Sequence, residues 1–284
     1  MELNDRALLV QLSISQWTGR KFDKKVTNEV AYQHGVNAAV GRYHKALLPA
    51  TDKLKQVHQK STFIRTEFYR NTLPWGLEGT MILPTANYLN FMSEFRKHKS
   101  DWNALVEEFI KHYEDIKNDA QQVLGTLYNE DDYPSVDQMQ YKFRMDLAVF
   151  PIPANDFRVD ISSDELTRIQ QDVEARVQSA AQSAMQDVWQ RLFDRVKHIA
   201  DKLNDPSAIF RDSMLENARD LCELLPRLNL TDDPNLEALR SEVEQKLVRN
   251  NPDSLRADPA LRRDKAAEAN DMLARMSVFM GGIQ

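Results

Sequence analysis

The chain has 284 residues, 42% of them hydrophobic and 28% charged, with a formal net charge of −6 at pH 7. That length supplies ample material for a core without disulfide staples, and 8 Gly with 11 Pro are too few for a many-turned β-fold, so long helices are expected. A single cysteine, Cys222, excludes an internal disulfide, no apolar run approaches the roughly 18 residues of a membrane span, and the acidic start MELND is unlike a secretory signal, so a cytoplasmic protein is expected.

In chain order, Leu8, Val10, Leu12 and Ile14 alternate with Gln11, Ser13 and Ser15, the two-residue period of a half-buried strand ending at Thr18-Gly19. From about Asp23 to Leu48 the spacing of Val26, Val30, His34 or Gly35 and Ala38 reads as a helix. Pro49 then opens another, carrying Leu54, Val57 and Ile64, which breaks at Pro74-Trp75-Gly76. Tyr88, Met92, Phe95, Lys99, Trp102, Val106, Phe109, Tyr113, Ile116, Ala120, Val123 and Leu127 form an unbroken heptad stripe, which predicts a coiled-coil-like helix of some 40 residues. Tyr141, Phe143, Met145, Leu147 and Val149 alternate again, and Phe157, Val159 and Ile161 repeat the pattern, so a β-hairpin is expected at about 140–161.

A second long helix follows a Ser163 or Asp164 cap. Its stripe of Leu166, Ile169, Val173, Val177, Ala180, Ala184, Val188, Leu192, Val196, Ile199 and Leu203 steps by three, four and four. That eleven-residue repeat drifts opposite to a heptad, so the two long helices do not suit one regular left-handed coil. Three short helices are expected after Asp205-Pro206, Asp233-Pro234 and Asp258-Pro259, each an acidic cap before proline. The fold class is therefore predominantly α with a small β element. It divides into 1–84 (strand plus basic helices), 85–204 (two long helices flanking the hairpin) and 205–284 (short helices), as one continuous fold.

The charge is uneven. Arg20 to Arg70 holds eleven Lys or Arg against four Asp or Glu, which leaves the remaining chain strongly acidic. Head-to-tail self-association, an anionic ligand at the basic third, and simple solvation of polar helix faces all accommodate this asymmetry. An acidic total argues against wholesale nucleic-acid binding, because a phosphate polyanion requires clustered cations.

No catalytic constellation emerges. His34, His44, His58, His98, His112 and His198 lack metal-ligand pairing, and Cys222 lies among Leu221, Leu224 and Leu225 as a small hydrophobe. Glu130, Asp131 and Asp132 read as a solvated turn, and no Gly-rich phosphate loop is present. The expectation is no enzyme, no metal and no cofactor. Two stretches remain as binding candidates. Trp17 is followed by Arg20, Lys21, Lys24 and Lys25, an aromatic beside cations that either binds an anionic partner or is core beside a solvated turn. Met272, Met276, Phe279 and Met280, about one turn apart, form either an oligomer seam or a face packed on their own bundle.

The stretch LSISQWTGRKFDKKVT, with Trp17, Gly19, Arg20 and Lys21, together with YKFRMDLAVFPIP, with Phe143, Pro151, Ile152 and Pro153, resembles a family of uncharacterised proteins encoded by tailed phages and some bacteria. The genes of that family commonly lie near those for a MoxR-type AAA+ ATPase and a von Willebrand factor A protein. The resemblance covers most of Leu8 to Ile161, brings no catalytic residues, and implies a phage-type helper or assembly protein with such an ATPase or von Willebrand factor A protein as partner. Composition and resemblance together lead to the expectation of a non-enzymatic cytoplasmic assembly or adaptor protein that forms a homo-oligomer, a ring in its closed form. The alternative is a nucleic-acid-associated module using segment 20–70.

Overall fold

The computed structural model describes residues 3–154, 162–205, 207, 208 and 210–281. The protein is predominantly α-helical with a small antiparallel sheet, and none of its described helices is long and apolar enough to cross a membrane. It forms two compact units, a larger one of residues 1–11, 68–91 and 148–284 and a smaller one of residues 12–67 and 92–147.

The chain opens with a single turn α1 (Leu3–Arg6) and strand β1 (Ala7–Ser15), followed by β2 (Arg20–Phe22), helix α2 (Lys24–Gln33), β3 (His44–Ala46) and α3 (Lys53–Asn71). A β4 (Leu73–Pro74) and β5 (Thr80–Pro84) hairpin leads to α4 (Thr85–Lys111) and α5 (Tyr113–Leu124). Two 3₁₀ turns (Gly125–Leu127 and Glu130–Asp132), α6 (Val136–Gln140) and β6 (Arg144–Pro151) follow. The rest is helical: α7 (Ser163–Asn204), α8 (Asp212–Leu228), α9 (Pro234–Val243) with a π turn at Glu244–Val248, α10 (Pro252–Ala257) and α11 (Pro259–Gly281).

The expected strand at Leu8 is β1, and it sits inside the sheet order β4-β5-β1-β6, paired antiparallel to β5 from Ala7↔Pro84 to Gln11↔Thr80. β6 supplies the expected second alternation but starts later than Tyr141, which is exposed, and its neighbour is β1. The hairpin partner expected at Phe157–Ile161 lies outside the described residues.

The 42-residue helix α7 matches the second expected long helix, and Ser162 caps it through the Glu165 amide. Its stripe is buried from Ala180 to Leu203, against a core that includes Ala266, Ala269, Met272 and Met276 of α11. The N-terminal stretch behaves differently: Leu166, Ile169, Val173 and Val177 are only half-buried. Two arginines close helix ends in this unit. Arg191 donates to the carbonyls of Arg70, Tyr69 and Thr72 at the end of α3, and Arg262 donates to those of Lys202 and Leu203 at the end of α7. These bonds satisfy terminal carbonyls that lack intrahelical donors.

The first expected long helix is two helices. At His112 the backbone leaves helical geometry (φ −103°, ψ 8°), the His112 amide bonds to Phe109 three residues back, and its ring Nδ1 donates to the Glu108 carbonyl at 2.9 Å. The stripe stays on one buried face across the break. Phe95, Trp102, Val106, Phe109, Tyr113, Ile116 and Ala120 are all buried in the smaller unit's own core, where Phe143 packs edge-on against Trp102 and Phe109. A stripe filled from within its own unit leaves no coiled-coil seam there.

Three other expectations change. The helix expected from Asp23 to Leu48 stops at Gln33, because Gly35 adopts φ +63° and Val36 donates back to the Ala31 carbonyl. The helix expected to open at Pro49 begins at Lys53, where the Thr51 hydroxyl accepts from the Lys53 amide. Asp233 and Asp258 cap α9 and α11 as expected, whereas Asp205 ends α7 and binds Ser207, and α8 begins only at Asp212. The same Asx-Pro signature at Asn251-Pro252 caps α10.

Candidate interaction surface

Trp17, Thr18 and Gly19 turn the chain out of β1. Gly19 has φ +63°, which favours glycine, and a Cβ there would meet Leu54 Cδ2 at 2.5 Å, so a larger residue would be strained and would displace Leu54. Trp17 is half-buried. Its ring lies 6.0 Å from Tyr113, edge-on, and 6.4 Å from Phe109, while its carbonyl accepts from His58 Nε2 at 2.8 Å. Trp17 is thus a wall of the smaller unit's aromatic core, which removes it from the list of free stacking platforms.

The turn delivers a two-stranded ribbon, β2 against β3, with Arg20 opposite Ala46, Lys21 opposite Lys45 and Phe22 opposite His44. Two lysines directly across a ladder repel unless an anion lies between them. Asp132 supplies it: Lys45 Nζ is 2.8 Å from Asp132, which also lies 3.8 Å from Lys21. Lys45 is only 5% exposed and also donates to the Leu127 carbonyl at 2.5 Å, with Asp23 a further 3.7 Å away. Glu130 in the same turn is bound by Lys117 and by the Tyr128 hydroxyl, which together hold its carboxyl below the usual range. Of the acidic turn expected to be solvated, Glu130 and Asp131 are exposed, whereas Asp132 is a counter-charge for the chain's own basic segment.

Asp23 then caps α2, its side chain accepting from the Val26 amide at 3.1 Å. Thr27 stitches the return loop on: its hydroxyl donates to the Asp23 carbonyl and accepts from the Tyr43 amide at 3.0 Å. Between α2 and β3 the segment 34–43 folds back across the helix. It leaves a groove of about 300 Å³ lined chiefly by Val30, Ala31, Val36, Val40 and Tyr43. Tyr32 is 89% exposed and Val40 75%, and Phe22, Val30, Val36 and Tyr43 are exposed beside them. Arg42 lines the groove, Arg20 and Lys24 lie on β2 and at the start of α2, and all three are exposed cations with no ion pair among the described residues; Lys25 lies 4.0 Å from Glu29. An apolar groove whose Val30, Val36, Val40 and Tyr43 are exposed, with the cation Arg42 in its lining, has the character of an association surface.

The basic candidates consequently divide: Lys21 is answered within the chain, and Arg20, Lys24 and Lys25 face outward. The methionine candidates are corrected by their burial. Met272 and Met276 are fully buried in the larger unit, Phe279 stacks on Trp189 at 5.5 Å, and Met280 packs partly against the same core, so the seam is filled by the chain itself. The helical spacing of Val26, Val30, His34 or Gly35 and Ala38 includes Val30 alone of the groove's exposed apolar residues and leaves out Val36, Val40 and Tyr43. The signal for their exposure is the pair Gly35 and Gly41, which bracket an apolar stretch too short to be helical. No group of His, Cys, Asp and Glu suited to a metal ion is present among the described residues. No protein-family model, curated protein or solved structure matches this chain.

Proposed function

We propose that this protein is a non-enzymatic assembly or adaptor protein of the phage-helper kind, which acts as a closed homo-oligomer and offers that assembly to a partner, a MoxR-type AAA+ ATPase or von Willebrand factor A protein being the class the sequence resemblance implies. The observation that supports the reading is the α2 and 34–43 surface: five exposed apolar or aromatic side chains, Val30, Tyr32, Val36, Val40 and Tyr43, with the exposed Arg42, which has no ion pair among the described residues. Bare apolar surface of this kind costs free energy in water until a partner covers it. A nucleic-acid module is the second reading, favoured by an exposed aromatic, Tyr32, in a segment that also carries the exposed Arg20, Lys24 and Arg42. Against it, two of the segment's lysines, Lys21 and Lys45, are already paired with Asp132.

Static light scattering at tens of micromolar in low salt tests the reading. A mass that is a fixed multiple of the 32.9 kDa chain is expected, and a mass that stays at one chain would overturn it.

A further inference from the structure

Resting on the self-association reading, we infer that the groove between α2 and segment 34–43 seats the N-terminal half of α7 from a second copy. The groove asks for an occupant with apolar anchors and negative charge. Another groove does not qualify: an isologous contact sets each patch against itself and would place Arg20, Lys24, Lys25 and Arg42 opposite their own like charges. The contact must be heterologous.

The N-terminal half of α7 has this chemistry. α7 changes character at Ala180, where the stripe passes from half-bare to buried. Upstream of that point Leu166, Ile169 and Val173 stand three and four residues apart, the anchor spacing of an amphipathic helix laid in a groove. The same stretch bears Asp164, Glu165, Asp172 and Glu174 against Arg168 and Arg176. Asp172 is committed to Arg176 at 2.8 Å and Glu165 lies 3.7 Å from Arg168. Asp164 and Glu174 are exposed and have no ion pair among the described residues, which leaves them for Arg20, Lys24 and Arg42 of the neighbour. Groove and arm are different surfaces of one chain, so the contact repeats from copy to copy until it closes.

Light scattering on the wild type, four variants and one mixture tests this. Val40→Asp places a charge in the groove at an exposed position, and Lys24→Glu/Arg42→Glu reverses its rim. Asp164→Lys/Glu174→Lys reverses the arm. Each alone should reduce the mass to the 32.9 kDa of one chain with an unchanged circular dichroism spectrum, and the four charge changes together should restore the wild-type mass. Mixing Val40→Asp, which keeps its arm, with Asp164→Lys/Glu174→Lys, which keeps its groove, should give one-to-one pairs of twice that mass and nothing larger. A wild-type protein that is a monomer removes both the reading and the inference. A wild-type oligomer whose mass none of these variants changes removes the inference alone. DNA or RNA binding abolished by Lys24→Glu/Arg42→Glu with the mass intact would give the surface to nucleic acid and overturn the inference as well.

Discussion

Lys45 shows how a charge survives burial here. Its ammonium has Asp132 at 2.8 Å and the Leu127 carbonyl at 2.5 Å, so removing it strands a carboxylate that is itself only 10% exposed. Breaking one side of a buried pair costs about 3–5 kcal/mol, whereas replacing both sides with apolar groups is close to neutral. Lys45→Met should therefore lose about 3–5 kcal/mol in urea denaturation, and Lys45→Met/Asp132→Leu should recover most of it; equal losses in both would show that the pairing is not what matters. Cys222 is the opposite case, a reactive group made inert. It is 1% exposed, and burial pushes its thiol up to about 11, with Arg240 opposing only in part. Since the thiolate is the nucleophile, native protein at pH 8 should be labelled by a thiol reagent only as fast as it unfolds. Rapid stoichiometric labelling would contradict that burial.

Elements built on a strict period were legible, and those decided by a single backbone angle were not. The three-four-four stripe made α7 legible because it is local and repeats many times, and the cap, expected at Ser163 or Asp164, is Ser162, one residue earlier. The break at His112 left no trace in the stripe, since a heptad counts faces and not hydrogen bonds, and the end of α2 turned on the positive φ of Gly35. The candidate surface was half legible. Its cations are plain in the sequence, but the pairing of Lys21 and Lys45 with Asp132 spans more than eighty residues and no local pattern reports it. Capping aspartates illustrate the same limit quantitatively. Asp258 and Asp233 look alike in sequence, yet Asp233 accepts from the Asn235 and Leu236 amides and also from the buried Trp189 indole at 3.0 Å. Asp258→Ala should cost about 1 kcal/mol, the usual value of a cap, and Asp233→Ala about 2–4 kcal/mol because it also orphans the indole. Equal costs would refute the second role.

At the scale of the whole molecule, the acid limb of stability follows from where the carboxylates ended up. Asp101 is held below its ordinary value by Lys60, Glu108 by Lys53, Glu130 by Lys117, Asp232 by Arg6 and Glu244 by Arg240, in each case chiefly through a side-chain hydrogen bond. A carboxyl depressed on folding binds fewer protons in the native state than in the unfolded chain, so its contribution is present above the unfolded values of 3.8 for Asp and 4.5 for Glu and is lost as pH falls through the lower native ones. Asp187 has the opposite sign: desolvation raises it, Arg191 only partly offsetting the effect, so protonating it on acidification relieves a cost. These depressed groups are solvent-exposed, each pair is weak on its own, and salt screens them. Their number and common sign still set the direction. The urea midpoint should be flat from pH 7 to about 5 and fall steadily below about pH 4.5, with a shallower fall in 0.5 M salt. A midpoint that rises on acidification would mean that Asp187, and not the exposed pairs, governs the acid response.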